Sequence, residues 1–368
     1  RCMDLQKMAG DEVEFDFVNH LGGKPIMGSR NAEGYGKAMS FAQDRLRINQ
    51  ARYPISAGDT MTQQRTPHQL RSLARTLGEA YMNRLQDQLS LVHMAGARGF
   101  HNNVEWAVPL ASDPDFASIL VNPVRAPSRN RHFMSTGTGL ETVKAAANEI
   151  TMTTADVFNA DLVDSLRAQL DSMALAPPAV EFDGDKLAAD SPLRVLLCSA
   201  EQFASFAQSS GYRTYLSNAI ARGQQAGNHP LFMGGDTALW NGILMVKMPK
   251  PIRFYAGNPI NWCASTTSET ETTTDLAPAA LGTGYAIDRA ILLGGQALAE
   301  AWGKHRKTGN PFFWSEKELD HDDKLELLVG AVNGRSKVRF EVDHGNEKQI
   351  TDHGIIAIDT VVKLGVAA

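Results

Sequence analysis

The sequence of 368 residues is poor in cysteine, in long apolar runs and, across one long block, in lysine. Its three cysteines, Cys2, Cys198 and Cys263, stand at wide, unpatterned spacing, which excludes a disulfide-stapled scaffold. Since no basic-then-apolar leader opens the sequence, a reducing, cytoplasmic site of folding is favoured. No apolar stretch, Ile243 to Val246 and Ile355 to Ile358 included, approaches the roughly 20 residues of a membrane-spanning helix, so no membrane partner is expected. Catalytic signatures are also missing: there is no GxSxG, HExxH or CxxC, and Gly303-Lys304 lacks both the upstream Gly and the following Ser/Thr of a Walker loop. A large excess of one charge is absent too, because the net charge is −5, which argues against a dedicated nucleic-acid binder.

What remains is an ordinary folding composition, with 43% hydrophobic and 21% charged residues, which excludes a disordered or collagen-like chain. The length exceeds what one small core serves and predicts two subdomains, or one domain with a large insertion. The charge is unevenly spread. Residues 41–140 carry 11 Lys+Arg against 7 Asp+Glu, and all eleven cations are Arg. Arg suits bidentate, partly desolvated contacts, whereas Lys serves as a hydrated surface charge. A composition bias is the plain reading of this block, and a subunit interface or a phosphate-facing surface is the sharper one.

Along the chain, Val13, Phe15 and Phe17 alternate with Glu14 and Asp16, and Leu46 and Ile48 alternate with Arg45, Arg47 and Asn49. Two polar-edged strands joined through Gly28 to Gly36 read as a long hairpin too poor in apolar surface to build a core alone. It must lie on the rest of this chain or on another copy. Thr66-Pro67-His68-Gln69 reads as a capping box with Pro at the first helical position. The stripe from Leu70 through Leu73, Leu77, Tyr81, Leu85, Leu89 and Val92 then predicts one helix of about 30 residues ending near Gly96. Residues 100–150 read as loop-rich. A helix is expected over 154–173, a strand-helix unit from Leu193 through Phe203 and Phe206 to Ala221, strands at 242–248 and 252–255, and a helix over 286–304. Ser265 to Asp275 reads as an exposed hydroxyl- and acid-rich loop, and Val338 to Val342 and Gly354 to Leu364 as closing strands.

Weighed for chemistry, each remaining cluster has a plainer alternative. Asp320-His321-Asp322-Asp323 offers too short a ligand series for a hard metal and reads as a solvated helix N-terminus. Gly137-Thr138-Gly139 reads as a turn. His344 and His353 have no carboxylate or cysteine pattern beside them, and Trp302, Phe312, Phe313 and Trp314 read as a packing cluster rather than a ligand pocket. Neither a cofactor nor a metal is implied.

Three runs carry a family resemblance: Gln63-Gln64-Arg65-Thr66-Pro67-His68-Gln69-Leu70-Arg71, the segment AILLGGQALAEAWGK from Ala290 to Lys304, and Lys337 to Phe340 followed by His353 to Thr360. In this order they resemble the N-four-like major capsid protein family of tailed bacteriophages. The resemblance implies an α+β chain with the Johnson fold, the Hong Kong phage type of capsid fold. It would have an N-terminal arm (1–10), an E-loop hairpin (11–60), a P-domain (61–185) with its spine helix over 67–96, a region that is mainly A-domain (186–335), and C-terminal strands returning to the P-domain (336–368). It implies no enzyme but a shell protein: hexamers and pentamers forming an icosahedral head around double-stranded DNA, built in the host cytoplasm, with portal, scaffolding and decoration proteins as further partners. On this reading Phe15, Phe17, Arg45, Arg47 and Arg52 are subunit-interface candidates. Arg71, Arg75, Arg125, Arg129 and Arg131 are candidates to face DNA by non-specific electrostatics. An encapsulin-like compartment shell and an α/β enzyme with an unrecognised site are the alternatives; enzyme cargo in place of nucleic acid separates the first, a deep pocket with convergent polar groups the second.

Overall fold

The computed structural model describes residues 10–19, 24–36, 38–102, 104–180, 193–214, 237–268, 272–344 and 347–365. The N-terminal arm (1–10), apart from Gly10, and the expected helical continuation from Tyr215 to Ala221 lie outside them.

Two large sheets organise the chain. In the first, the strands run in the order Leu140–Thr142, His132–Ser135, Ile355–Lys363, Tyr285–Leu293, Arg194–Cys198, Ile243–Lys247, Thr237–Trp240, with Arg253–Tyr255 pairing onto Tyr285–Leu293. Two pairings are parallel, that of His132–Ser135 with Ile355–Lys363 and that of Arg194–Cys198 with Ile243–Lys247, and the others are antiparallel. Both faces are covered. Phe158, Leu162, Leu166 and Phe206, from helices Ala160–Ser172 and Ala200–Gln208 and the segment before them, pack on Leu196, Ala290, Leu292 and Ile358. Val92 and Ala95 of the long helix pack with Ile287, Ile291 and Val361 on the other face. A strand buried on both faces needs no polar alternation. That explains a correction: the helix expected over 286–304 is two strands, Tyr285–Leu293 and Leu298–Trp302. The Gly294-Gly295 pair between them is a turn whose amides donate to the Gly354 and Pro178 carbonyls, both at 2.8 Å.

The second sheet is built on the 14-residue strand Lys324–Lys337, flanked by Leu298–Trp302 and Phe312–Leu319 on one side and Asn49–Asp59 on the other. The later part of the 11–60 segment is therefore a body strand, and only Glu12–Val18 and Phe41–Arg47 form the hairpin. The long helix Leu70–Ala95 crosses this second sheet. At 26 residues it is about 39 Å long. Its start differs from the expected capping box: Gln69 is the N-cap without a side-chain bond, and the Gln63 amide accepts from Leu70 N at 3.1 Å while donating to the His68 carbonyl at 2.6 Å. The helix ends at Gly96, whose φ of 67° and contact with the Arg125 carbonyl leave no room for a side chain.

Three smaller expectations also change. Asp320, His321 and Asp322 are left-handed, with φ of 57°, 55° and 68°, and turn the chain between two strands; short polar side chains tolerate this conformation. The helix expected over 154–173 starts later, at Ala160, capped by Asn159, because Val157 bridges to Val361. Part of the 265–275 segment is strand Thr273–Leu276 on Pro259–Trp262, where buried Asp275 accepts the Trp262 indole N–H at 2.6 Å.

Gly334 lies directly against the Arg47 carbonyl, where the hairpin meets the second sheet, and any Cβ there collides with backbone. Gly334→Ala is expected to lower stability by about 3 kcal/mol, read as a drop in the urea midpoint at unchanged slope.

Candidate assembly surface

The hairpin is held at its root by buried polar groups. Cross-strand pairing puts Glu12 opposite Arg47 and Glu14 opposite Arg45, and the side chains follow: Arg45 meets Glu14 at 3.0 Å and Arg47 meets Glu12 at 3.3 Å. These exposed pairs are each worth about 0.2–1 kcal/mol. Asp44 points the other way and is buried. Its carboxylate accepts both Arg125 guanidinium nitrogens, at 2.9 and 3.2 Å, and the backbone N–H of Arg339 at 3.2 Å. A second carboxylate, Asp352, accepts from Lys337 Nζ at 2.8 Å, Arg339 Nε at 2.7 Å and Ser128 N at 2.9 Å. Burial pushes the Asp352 carboxyl up, but the Lys337 and Arg339 charges overcome this and hold it well below the usual carboxylate range. Burial pushes the Lys337 ammonium down to about 7 in spite of that partner. A γ-turn at Val121, with φ of 65°, delivers Asn122 to the same root, where its side chain accepts from Arg47 N and donates to the Arg47 and Arg335 carbonyls.

Phe15 and Phe17 sit on the inner face. Phe17 stacks on Phe340 at 4.9 Å and Phe15 meets its edge at 5.9 Å, with His353 against the same rings. The hairpin thus borrows a core from the strand Arg339–His344 of its own chain, in which these two half-buried rings already have partners. The outer surface is different. Ile26, Met27, Tyr35 and Met39 near the tip, with Val18 and Phe41, are exposed. A second exposed apolar set comprises Leu73 and Leu77 on the long helix, Tyr53, Phe312 and Trp314. Large apolar side chains left open to this extent are candidates for contact with a partner.

The Arg block divides in the same way. Arg45, Arg47, Arg71 and Arg75 are exposed: Arg71 pairs with Glu316 through Nε at 3.1 Å, and Arg75 pairs with Glu79 at 3.3 Å and covers the Trp314 ring at 4.6 Å. Arg52 is exposed on the strand Asn49–Asp59 and makes no ion pair among the described residues. The structure corrects the expectation for three others. Arg125 is taken by Asp44; Arg129 bonds the Val143 carbonyl and stacks over Trp262 at 5.2 Å; Arg131 is buried and donates to the Asp352 carbonyl at 3.2 Å. Their guanidinium groups close internal joints and do not present a phosphate-facing surface.

Elsewhere, Arg289 holds Asp359 at 2.7 and 2.9 Å, with His132 at 2.8 Å from the same carboxylate, and also reaches the Ala95 carbonyl at the C-terminal end of the long helix at 3.1 Å. Arg253 holds Asp288 at 2.7 and 2.8 Å. No spacing motif announces these pairs; the only signal is a charge inside an apolar run, as in AIDRAILL and IIAIDTVV. Trp302 and Phe312 pack at 4.9 Å, as a packing cluster would. Among the described residues no group of three His, Cys, Asp or Glu is placed to hold a metal, and no helix is long and apolar enough to cross a membrane. Cys198 and Cys263 are buried and unpaired.

The sequence profile described as phage capsid protein matches residues 1–364. Among solved structures the chain is similar to the capsid of Ralstonia phage GP4, with TM-score 0.69 and 24% identity, covering 100% of this chain and 87% of that one. It is also similar to the capsid asymmetric unit of cyanophage Pam1, with TM-score 0.65 and 16% identity over 98% and 88% of the two chains. For the acidic stable capsid of Helicobacter pylori bacteriophage KHP30 the values are 0.61 and 11%, over 99% and 87%. No curated protein matches the chain.

Buried His93, bonded to the Leu120 carbonyl at 3.2 Å, is pushed down to about 4 by burial, which that bond only partly opposes. In the unfolded chain its pKa is near 6.5, so as pH falls below that value the unfolded state takes up a proton that the folded state refuses until about 4. The His93 contribution is therefore expected to be complete above about 6.5 and to fall by on the order of 3 kcal/mol towards 4, with His132, also lowered chiefly by burial, acting in the same direction. Denaturant titrations across this range test it; a flat profile contradicts it.

Proposed function

The chain belongs to the phage capsid protein family, and we propose that the hairpin and the outward side of the long helix are the surfaces through which its copies join. It is a structural protein, a major capsid protein of the tailed-phage type with the Johnson-type α+β fold, and it forms the head shell of the virion. The observation that carries the proposal is the pair of exposed apolar sets, one at the hairpin tip and one across Leu73, Leu77, Tyr53, Phe312 and Trp314, whose side chains keep about 40% or more of their surface open among the described residues.

On this reading the subunits form hexamers and pentamers of an icosahedral shell around double-stranded DNA, put together in the host cytoplasm with portal, scaffolding and decoration proteins. A head-to-tail contact between unlike patches closes into rings, as capsomers require. The P-domain corresponds to the long helix with its sheet, and the A-domain falls within 186–335. Arg45, Arg47 and Arg52 belong to the interface, and Arg71 and Arg75, exposed on the first turns of the long helix, remain the DNA-facing candidates. Arg71 and Arg75 already hold Glu316 and Glu79, so phosphate would exchange with or add to those partners.

Negative-stain micrographs and sedimentation of the purified protein are expected to show rings or closed particles, whereas Arg45→Glu or Arg47→Glu leaves a folded subunit that assembles poorly. A monodisperse monomer from the unaltered chain at high concentration contradicts the reading, and normal particles from both variants remove the role of these arginines.

A further inference from the structure

A cavity of about 370 Å³ opens between the long helix, the strand Asn49–Asp59 and residues 118–121. Met82, Leu85, Leu89 and His93 follow one another along its helix wall at spacings of three and four, so that wall runs about 17 Å along the helix axis. Ile119 and Leu120 line the cavity from the other side, and the stacked rings of Tyr53 and Tyr81, 3.9 Å apart, complete an elongated apolar space. Pockets that hold small molecules have volumes of about 300–1,000 Å³ and are mostly apolar, with a few polar groups that fix the ligand's orientation.

The charge of the lining is of one sign. Among the described residues no acidic side chain lines the cavity, and its two arginines differ in what they hold. Arg335 pairs with Glu300 and donates to Ser90 Oγ at 2.9 Å. Arg52 is exposed and makes no ion pair among the described residues. We propose that this cavity binds a small anionic amphiphile, its alkyl chain lying along Met82, Leu85 and Leu89 and its acid group meeting Arg52. A cationic head would set like charges together, and a neutral one would leave the guanidinium unanswered. Burial of the chain supplies most of the affinity, because an ion pair at an exposed guanidinium is screened by water. The ligand touches both the long helix and residues 118–121. It therefore braces the segment that delivers Asn122 to the Arg47 backbone at the hairpin root. All of these groups belong to one subunit, so binding needs no neighbouring copy.

The experiment titrates decanoate, below its micelle concentration, into the full chain held below the concentration at which it assembles. Calorimetry is expected to show saturable binding of one decanoate per chain, and hydrogen exchange is expected to slow at 49–53 and 118–122 while that of 243–247 is unchanged. Arg52→Ala is expected to weaken decanoate about fivefold and to leave decanol unaffected. Leu89→Trp and Ser118→Trp, which fill the cavity from a buried and an exposed position, are expected to weaken both ligands about tenfold or more. Should Leu89→Trp fail to fold, Ser118→Trp decides alone. The site is overturned by an absence of saturable binding, by protection that falls elsewhere, or by affinity that survives Ser118→Trp. Equal affinity for decyltrimethylammonium and decanoate, or a decanoate affinity that ignores Arg52→Ala, overturns the anionic ligand. None of these outcomes depends on whether the chain forms particles.

Discussion

A carboxylate taken out of water must be met by cations and N–H donors, and at the hairpin root this requirement decides how the chain comes together. Asp44 leaves the hairpin with its charge buried, and the groups that satisfy it, Arg125 and the Arg339 amide, come from residues 81 and 295 positions away. Asp352 repeats the arrangement, drawing Ser128, Lys337 and Arg339 to one point. Hairpin, connecting loop and closing strands therefore share one geometry. Removing one partner of such a buried pair typically costs about 3–5 kcal/mol, although a well-packed apolar replacement of the whole set often costs nothing. What these groups supply is register: both carboxylates are paired when the three segments meet as they do here.

The same logic operates at the far end of the long helix. Arg289 joins Asp359 within the eight-stranded sheet to the Ala95 carbonyl, placing a cation where the helix dipole is negative. The last residue of the helix is thus fixed to one sheet, while Arg335, donating to Ser90 at 2.9 Å and pairing with Glu300, fixes the turn before it to the other. The long helix acts as a rigid bar between two sheets, and the hairpin projects from the second. A shell subunit benefits from that division, since contact surfaces on a rigid frame meet neighbours at a fixed angle.

Much of this was readable in the sequence, for identifiable reasons. Periodicity found the long helix, the hairpin strands and the strand around Val338 to Val342 because each buries a single face, whereas the last strand, Ile355–Lys363, is buried on both faces and was readable from its β-branched composition. It failed at Tyr285–Leu293, where burial on both faces erased the alternation and the small residues around Gly294-Gly295 imitated a helix. The acidic run at 320–323 misled because a helix N-terminus and a tight turn both favour aspartate. The Arg-only block was a real signal with mixed content. Its exposed members, Arg45, Arg47, Arg52, Arg71 and Arg75, kept the character expected of a surface, while Arg125, Arg129 and Arg131 proved to be internal ties. Spacing along the chain could not separate the two groups, because their acidic and carbonyl partners lie elsewhere in sequence.

The central claim is that the buried Asp44 carboxylate holds the hairpin in place before any neighbour arrives. Hydrogen exchange on unassembled Asp44→Ala measures it directly. Amides of 12–18 and 41–47 should lose their protection while those of 285–293 and 355–363 keep theirs. Unchanged exchange in the hairpin would contradict the account.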